Sequence, residues 1–99
     1  MDTMEIAKTI LSQIKHVDAW ALGSYGAKNF TAVSETKERA GGLSFQCSGL
    51  HHFGWCTIHL TWVDDYTIIF HNKAREVVKT VEGVNCEQLV EVLDYIEGK

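Results

Sequence analysis

Proline is missing from all 99 residues, so no stretch reads as a stiffened linker or polyproline spacer. Breaks in regular structure fall instead to the glycine-containing stretches GSYG (23–26), GG (41–42) and EGV (82–84). Cysteine is sparse: three thiols are an odd number. The N-terminus MDTMEIAKTILSQIKH is amphipathic with acidic residues at its front, unlike a secretory signal. A disulfide framework is therefore not expected, and reduced thiols are. No apolar run approaches the ~20 residues of a membrane span, which removes the membrane as a partner and places the chain in the cytoplasm. Cations are also few. Nine Lys and Arg face 13 Asp and Glu, for a formal net charge of −4, and the cations form no run. The footprint that captures phosphate backbones is absent, so direct nucleic-acid binding is not expected, whereas the acidic balance fits both an ordinary solvated surface and a face that meets a basic protein partner. There is no internal repeat and no low-complexity segment.

What is present is a core. Hydrophobic residues make up 45% of the chain, enough for one compact domain over residues 1–99. Asp2 followed by Glu5 resembles a capping box, and Ile6, Ile10, Ile14 and Val17 then recur at helical spacing. The segment WALGSYGAKNFTAV (20–33) mixes β-formers with glycine and predicts a short strand over 29–34. ETKERAGG (35–42) reads as a hairpin connection. GLSFQCS alternates, with Leu43, Phe45 and Cys47 on one face. WCTIHLTW alternates too, with Cys56, Ile58, Leu60 and Trp62 on one face and Trp55, Thr57, His59 and Thr61 on the other. TIIFHN continues the apolar set through Ile68 and Phe70, and REVVKTV is the last extended piece. Asn85 with Gln88 is an N-cap signal before the stripe Leu89, Val92 or Leu93, and Ile96, giving a second helix over 86–97. The fold expected is α+β, an antiparallel meander of four to five strands with the N- and C-terminal helices packed on one face, in the order α-β-β-β-β-(β)-α.

The segment CSGLHHFGWC (47–56) sets two histidines between two cysteines and raises the question of zinc. Face matching across the first hairpin pairs Phe45 with Ile58 and Cys47 with Cys56, leaving 48–55 as the connection. Both thiols then point into the apolar layer while His51 and His52 ride at the loop tip. Tetrahedral zinc needs four ligands within about 2.0–2.3 Å of one point, so no metal is assigned. In the second hairpin, pairing Trp62 with Ile68 and Leu60 with Phe70 brings His59 opposite His71 on the wet face, with Trp55 toward the hairpin end. That face is read either as a binding surface, with histidine to titrate and tryptophan to anchor, or as an ordinary solvated sheet.

Catalytic arrangements fare worse. The register puts Cys56 and His59 on opposite faces, which denies them a thiol–imidazole pair. Asp64 and Asp65 sit at a tight turn, where such residues serve turn chemistry. GSYGAK lacks the glycine pattern of a phosphate loop. No catalytic residue and no cofactor is assigned, and the chain is not expected to be an enzyme.

Taken together, ILSQI, YGAKNF, GLSFQCSG, GWCTIHLTWVDDYTIIF and GVNCEQLVEVLDYIEG resemble a group of small uncharacterised proteins carried by phages, prophages and other mobile elements, over nearly the whole chain. The group's glycine-alanine-lysine-asparagine-phenylalanine segment corresponds to Gly26 to Phe30, and its aspartate-x-tyrosine-threonine-like turn to Asp64, Tyr66 and Thr67. The resemblance implies a non-enzymatic inhibitor in the host cytoplasm that binds and blocks a host protein or nucleoprotein machine, as anti-CRISPR proteins do. The residues expected to meet that partner are Gly26, Lys28, Asn29, Phe30, His51, His52, Phe53, Trp55, His59 and His71, covering a basic surface of the target. The alternatives are a homo-oligomeric accessory or structural phage protein, a homodimer in its simplest form, and a small metal- or thiol-dependent enzyme.

Overall fold

The computed structural model describes residues 3–98. The first helix, α1, runs Thr3–Val17 and buries Ile6, Ala7, Ile10 and Ile14, so the stripe reaches the core while Val17, at its end, stays half exposed. Asp2, the proposed cap, lies outside the described residues. A single turn, α2 (Ala21–Ser24), leads into five strands: β1 (Lys28–Val33), β2 (Gly41–Ser48), β3 (Phe53–Leu60), β4 (Tyr66–His71) and β5 (Val77–Val84). They form one antiparallel sheet in chain order, which leaves β1 and β5 as its edges.

One face of the sheet is the floor of the core. Leu43, Phe45 and Cys47 from β2, Cys56 and Ile58 from β3, and Tyr66, Ile68 and Phe70 from β4 are all buried there. The helices meet them with Ile6, Ile10 and Ile14 on one side and Leu89, Leu93 and Ile96 on the other. Each such side chain contributes roughly 1.5–3 kcal/mol by leaving water, which is how a chain of this size offsets its ordering entropy.

The closing helix is segmented. A 3₁₀ turn (Cys86–Gln88), the helix α3 (Leu89–Leu93) and a second 3₁₀ turn (Asp94–Glu97) replace the continuous helix expected over 86–97. Its start is as predicted: the Asn85 side chain accepts from the Glu87 and Gln88 amides, and the Gln88 side chain accepts from the Asn85 amide. Its end is tied to the β2–β3 loop, because the Ile96 carbonyl accepts from both the His51 and His52 amides at 2.9 and 3.0 Å. Tyr25 adds a second tie, its hydroxyl donating to Asp94 at 3.0 Å. Burial and then that carboxylate raise the Tyr25 phenol well above its ordinary pKa.

Both hairpin registers differ from those expected. Phe45 faces Cys56 and Cys47 faces Gly54, so the first hairpin turns over residues 49–52. Leu60 faces Tyr66 and Cys56 faces Phe70, so the second turns over residues 61–65. His59 therefore lies opposite Thr67, not His71, and His71 lies opposite Trp55. Trp62 leaves the apolar face altogether: it sits on the turn, 56% exposed, with its indole N–H donating to the Thr36 carbonyl at 3.2 Å. No described helix is long and apolar enough to cross a membrane.

Candidate functional site

The sheet's second face has no described helix packed on it, and strand pairing arranges its side chains in rows. Lys28, Gln46, Trp55, His71 and Val77 stand opposite one another across all five strands. The next row is Thr31, Ser44, Thr57, Ile69 and Thr80, and beyond it His59 faces Gly42 and Thr67. Period-two alternation makes this face mixed rather than greasy, since β2, β3 and β4 spend most of their large aliphatics on the core side, with Ile69 and Val77 the aliphatics left on this one.

Six of the ten candidate residues belong to this face or its end: Lys28, Asn29, Phe53, Trp55, His59 and His71. Asn29 owes its place to a bulge in β1. Its backbone takes φ 56°, and its amide donates to the Gln46 side chain at 2.8 Å. Two aromatic residues at alternate positions of β3, Phe53 and Trp55, are each capped by a cation from the β4–β5 turn. The Lys73 ammonium lies 4.2 Å from the Phe53 ring centre and the Arg75 guanidinium 4.4 Å from that of Trp55. Arg75 reaches there because its own backbone is left-handed, φ 66°, in a turn closed by the Asn72 and Glu76 backbones and by Asn72 accepting from the Glu76 amide. The Arg75 carbonyl also lies 3.2 Å from His71 Nδ1. Trp55, Arg75, His71, Ser44 and Thr57 enclose a depression of about 230 Å³. Its rim offers a guanidinium, an imidazole and two hydroxyls, the donor set for an anionic group.

The other four candidates are placed elsewhere. Gly26, at φ 61°, lets the chain press against Ser48, where a Cβ would collide with the Ser48 side chain. Phe30 emerges on the helix side and packs on Phe45, with ring centres 5.7 Å apart. His52, expected at the loop tip, is only 5% exposed; it meets Phe70 edge-on and its Nε2 lies 3.3 Å from the Trp55 carbonyl. The reason is the docking of residues 49–52 on Ile96, which pulls the loop inward. His51 stays exposed and stacks edge-on against Tyr95.

Cys47 and Cys56 are buried in the core layer, and burial raises both thiols, Cys47 to about 11 despite a lowering hydrogen bond from the Gly54 backbone. Among the described residues no group of three or more His, Cys, Asp or Glu gathers as metal ligands. The net charge of −4 suggested a basic partner surface, but this end of the open face is locally cationic: Lys28, Lys73 and Arg75 surround the aromatics, and the nearby Glu76 carboxylate is held by Asn72. The sequence reading missed Lys73 and Arg75, whose spacing of two matches that of Phe53 and Trp55 but becomes meaningful only once the register is known. No family model, no curated protein and no solved structure matches the chain.

Proposed function

We propose that the chain is a non-catalytic binding protein that uses its open sheet face to cover an acidic patch on a protein partner. The observation that carries this reading is the uncovered row Lys28, Gln46, Trp55, His71 and Val77, with Arg75 stacked on Trp55 at its centre. Tryptophan and arginine are among the side chains that most often anchor protein interfaces, and here the tryptophan stands on the sheet with an arginine of the adjoining turn stacked on it. The depression beside them suits a partner carboxylate, bound by Arg75 and the Ser44 and Thr57 hydroxyls. In the mobile-element setting that the resemblance implies, the partner is a host defence assembly of the CRISPR kind, and inhibition is stoichiometric occlusion over about 1,200 Å² or more.

The test is affinity capture from host lysate with the wild-type chain, Trp55→Ala and Arg75→Glu as baits. The wild type retains a partner at fixed stoichiometry, and each substitution lowers recovery roughly tenfold or more. Rising salt weakens the captured complex, as a charge-steered contact requires. Recovery that both substitutions leave unchanged refutes this face as the interface.

A further inference from the structure

The sheet has a second, chemically opposite surface. Strand β5 is an edge of eight residues, and all but Val81 and Val84 are exposed. Beside it, between β5 and α3, runs a groove of about 500 Å³, with Val81, Val84, Val92 and Tyr95 as its apolar lining and Lys79, Glu82, Gln88 and Glu91 as its polar lip. An edge strand presents a line of backbone N–H and C=O groups without a neighbouring strand, and proteins usually blunt such edges with proline, inward charge or a covering element. Here proline is absent and α1 covers the other half of the sheet, over β1 and β2; β5 itself carries one core-side charge, Lys79 opposite Phe70, and two register irregularities against β4.

We propose that β5 accepts an extended, basic and apolar segment of a partner protein as a sixth strand, its alternate side chains entering the groove against α3. Three features argue for that occupant. Backbone groups along β5 pair with an extended chain, about 4.8 Å away, and with no other secondary structure. Alternation then directs every second side chain into a groove floored by valines and a tyrosine ring. The charge of the lip is negative: Glu82 and Glu91 face one cation, Lys79, whose ammonium is turned onto the Tyr95 ring at 4.7 Å. The whole stretch from Thr80 to Gly98 holds Glu82, Glu87, Glu91, Asp94 and Glu97 and no Lys or Arg. A second copy is the poorer occupant, because pairing β5 with itself brings two such acidic lips together.

The experiment follows backbone amides of the intact chain by NMR while three short capped peptides are added: one alternating lysine and valine, one alternating glutamate and valine, and the first with proline at its centre. The lysine–valine peptide slows hydrogen exchange in β5 and shifts Val81, Val92 and Tyr95, and the other two peptides do not. Glu91→Lys, an exposed change that leaves the fold intact, weakens binding roughly 3–10-fold, whereas Trp55→Ala leaves it unchanged. Equal binding by the acidic peptide, absence of β5 protection at millimolar peptide, or protection appearing at the open face instead overturns the proposal. So does β5 protection that rises with protein concentration in the absence of peptide, which would assign the edge to a second copy.

Discussion

Cys86 and the two core cysteines differ by environment alone. Cys86 is exposed on the closing segment, while Cys47 and Cys56 are walled in by Phe45, Phe70 and the helices, and their raised pKa values further suppress the thiolate that reacts. Titration of the native protein with a thiol reagent near pH 8 is expected to modify one cysteine rapidly and the other two only at the rate of unfolding; three fast thiols would mean that the core layer opens. His59 makes a different residue-level prediction. Burial, then Arg39 and then His71 lower its pKa from the ordinary 6.5. The unfolded chain therefore binds more protons between that lowered value and 6.5, so the stability present above pH 6.5 declines as pH falls through the folded pKa. Urea midpoints measured from pH 7.5 down to 5 should fall in the wild type and fall less in His59→Gln. Equal pH slopes would remove His59 from the account.

At the level of elements, period-two alternation shows which face a residue takes but not which neighbour it meets. The expected pairings of Phe45 with Ile58 and Leu60 with Phe70 are displaced from the observed ones by even numbers of residues, so the paired side chains kept their faces while their partners changed, and only Trp62, carried onto the turn, lost its own. The first register is set by a contact that local sequence does not carry, and the second by a five-residue turn whose length alternation does not reveal. In the first hairpin the Ile96 carbonyl holds the His51 and His52 amides from far along the chain. In the second, Thr61 bonds Asp65 through both backbone and side chain, with Asp64 at φ 68°. The Asn85 cap was legible because it is wholly local, and Asn85→Ala is expected to cost about 0.5–2 kcal/mol in urea unfolding. Gly49 is its non-local counterpart. A Cβ there would strike the Ile96 carbonyl and side chain, so Gly49→Ala should cost about 1–3 kcal/mol and loosen the loop that holds His52 inside. A Gly49→Ala protein as stable as wild type would show that the loop does not need this close approach.

Across the whole molecule, a meander in strict chain order grades protection from its middle outward. β3 is paired on both sides, to β2 and β4, and its Cys56 and Ile58 are fully buried; β5 is paired on one side and bears the long exposed edge. Opening β3 therefore requires breaking two ladders and the core, whereas opening β5 breaks one ladder and uncovers little apolar area. Native-state hydrogen exchange should place the β3 amides at or near the free energy of global unfolding and the β5 amides well below it, with β4 between them. The same gradient underlies both proposed surfaces. The open face rests Trp55 and His71 on the well-protected β3 and β4, which suits a preformed interface. The β5 edge, least protected, has backbone groups free to recruit a strand. Exchange in β5 as slow as in β3, measured on the monomer, would mean that the edge is already satisfied, and the added-strand inference would fail while the reading of the open face stood.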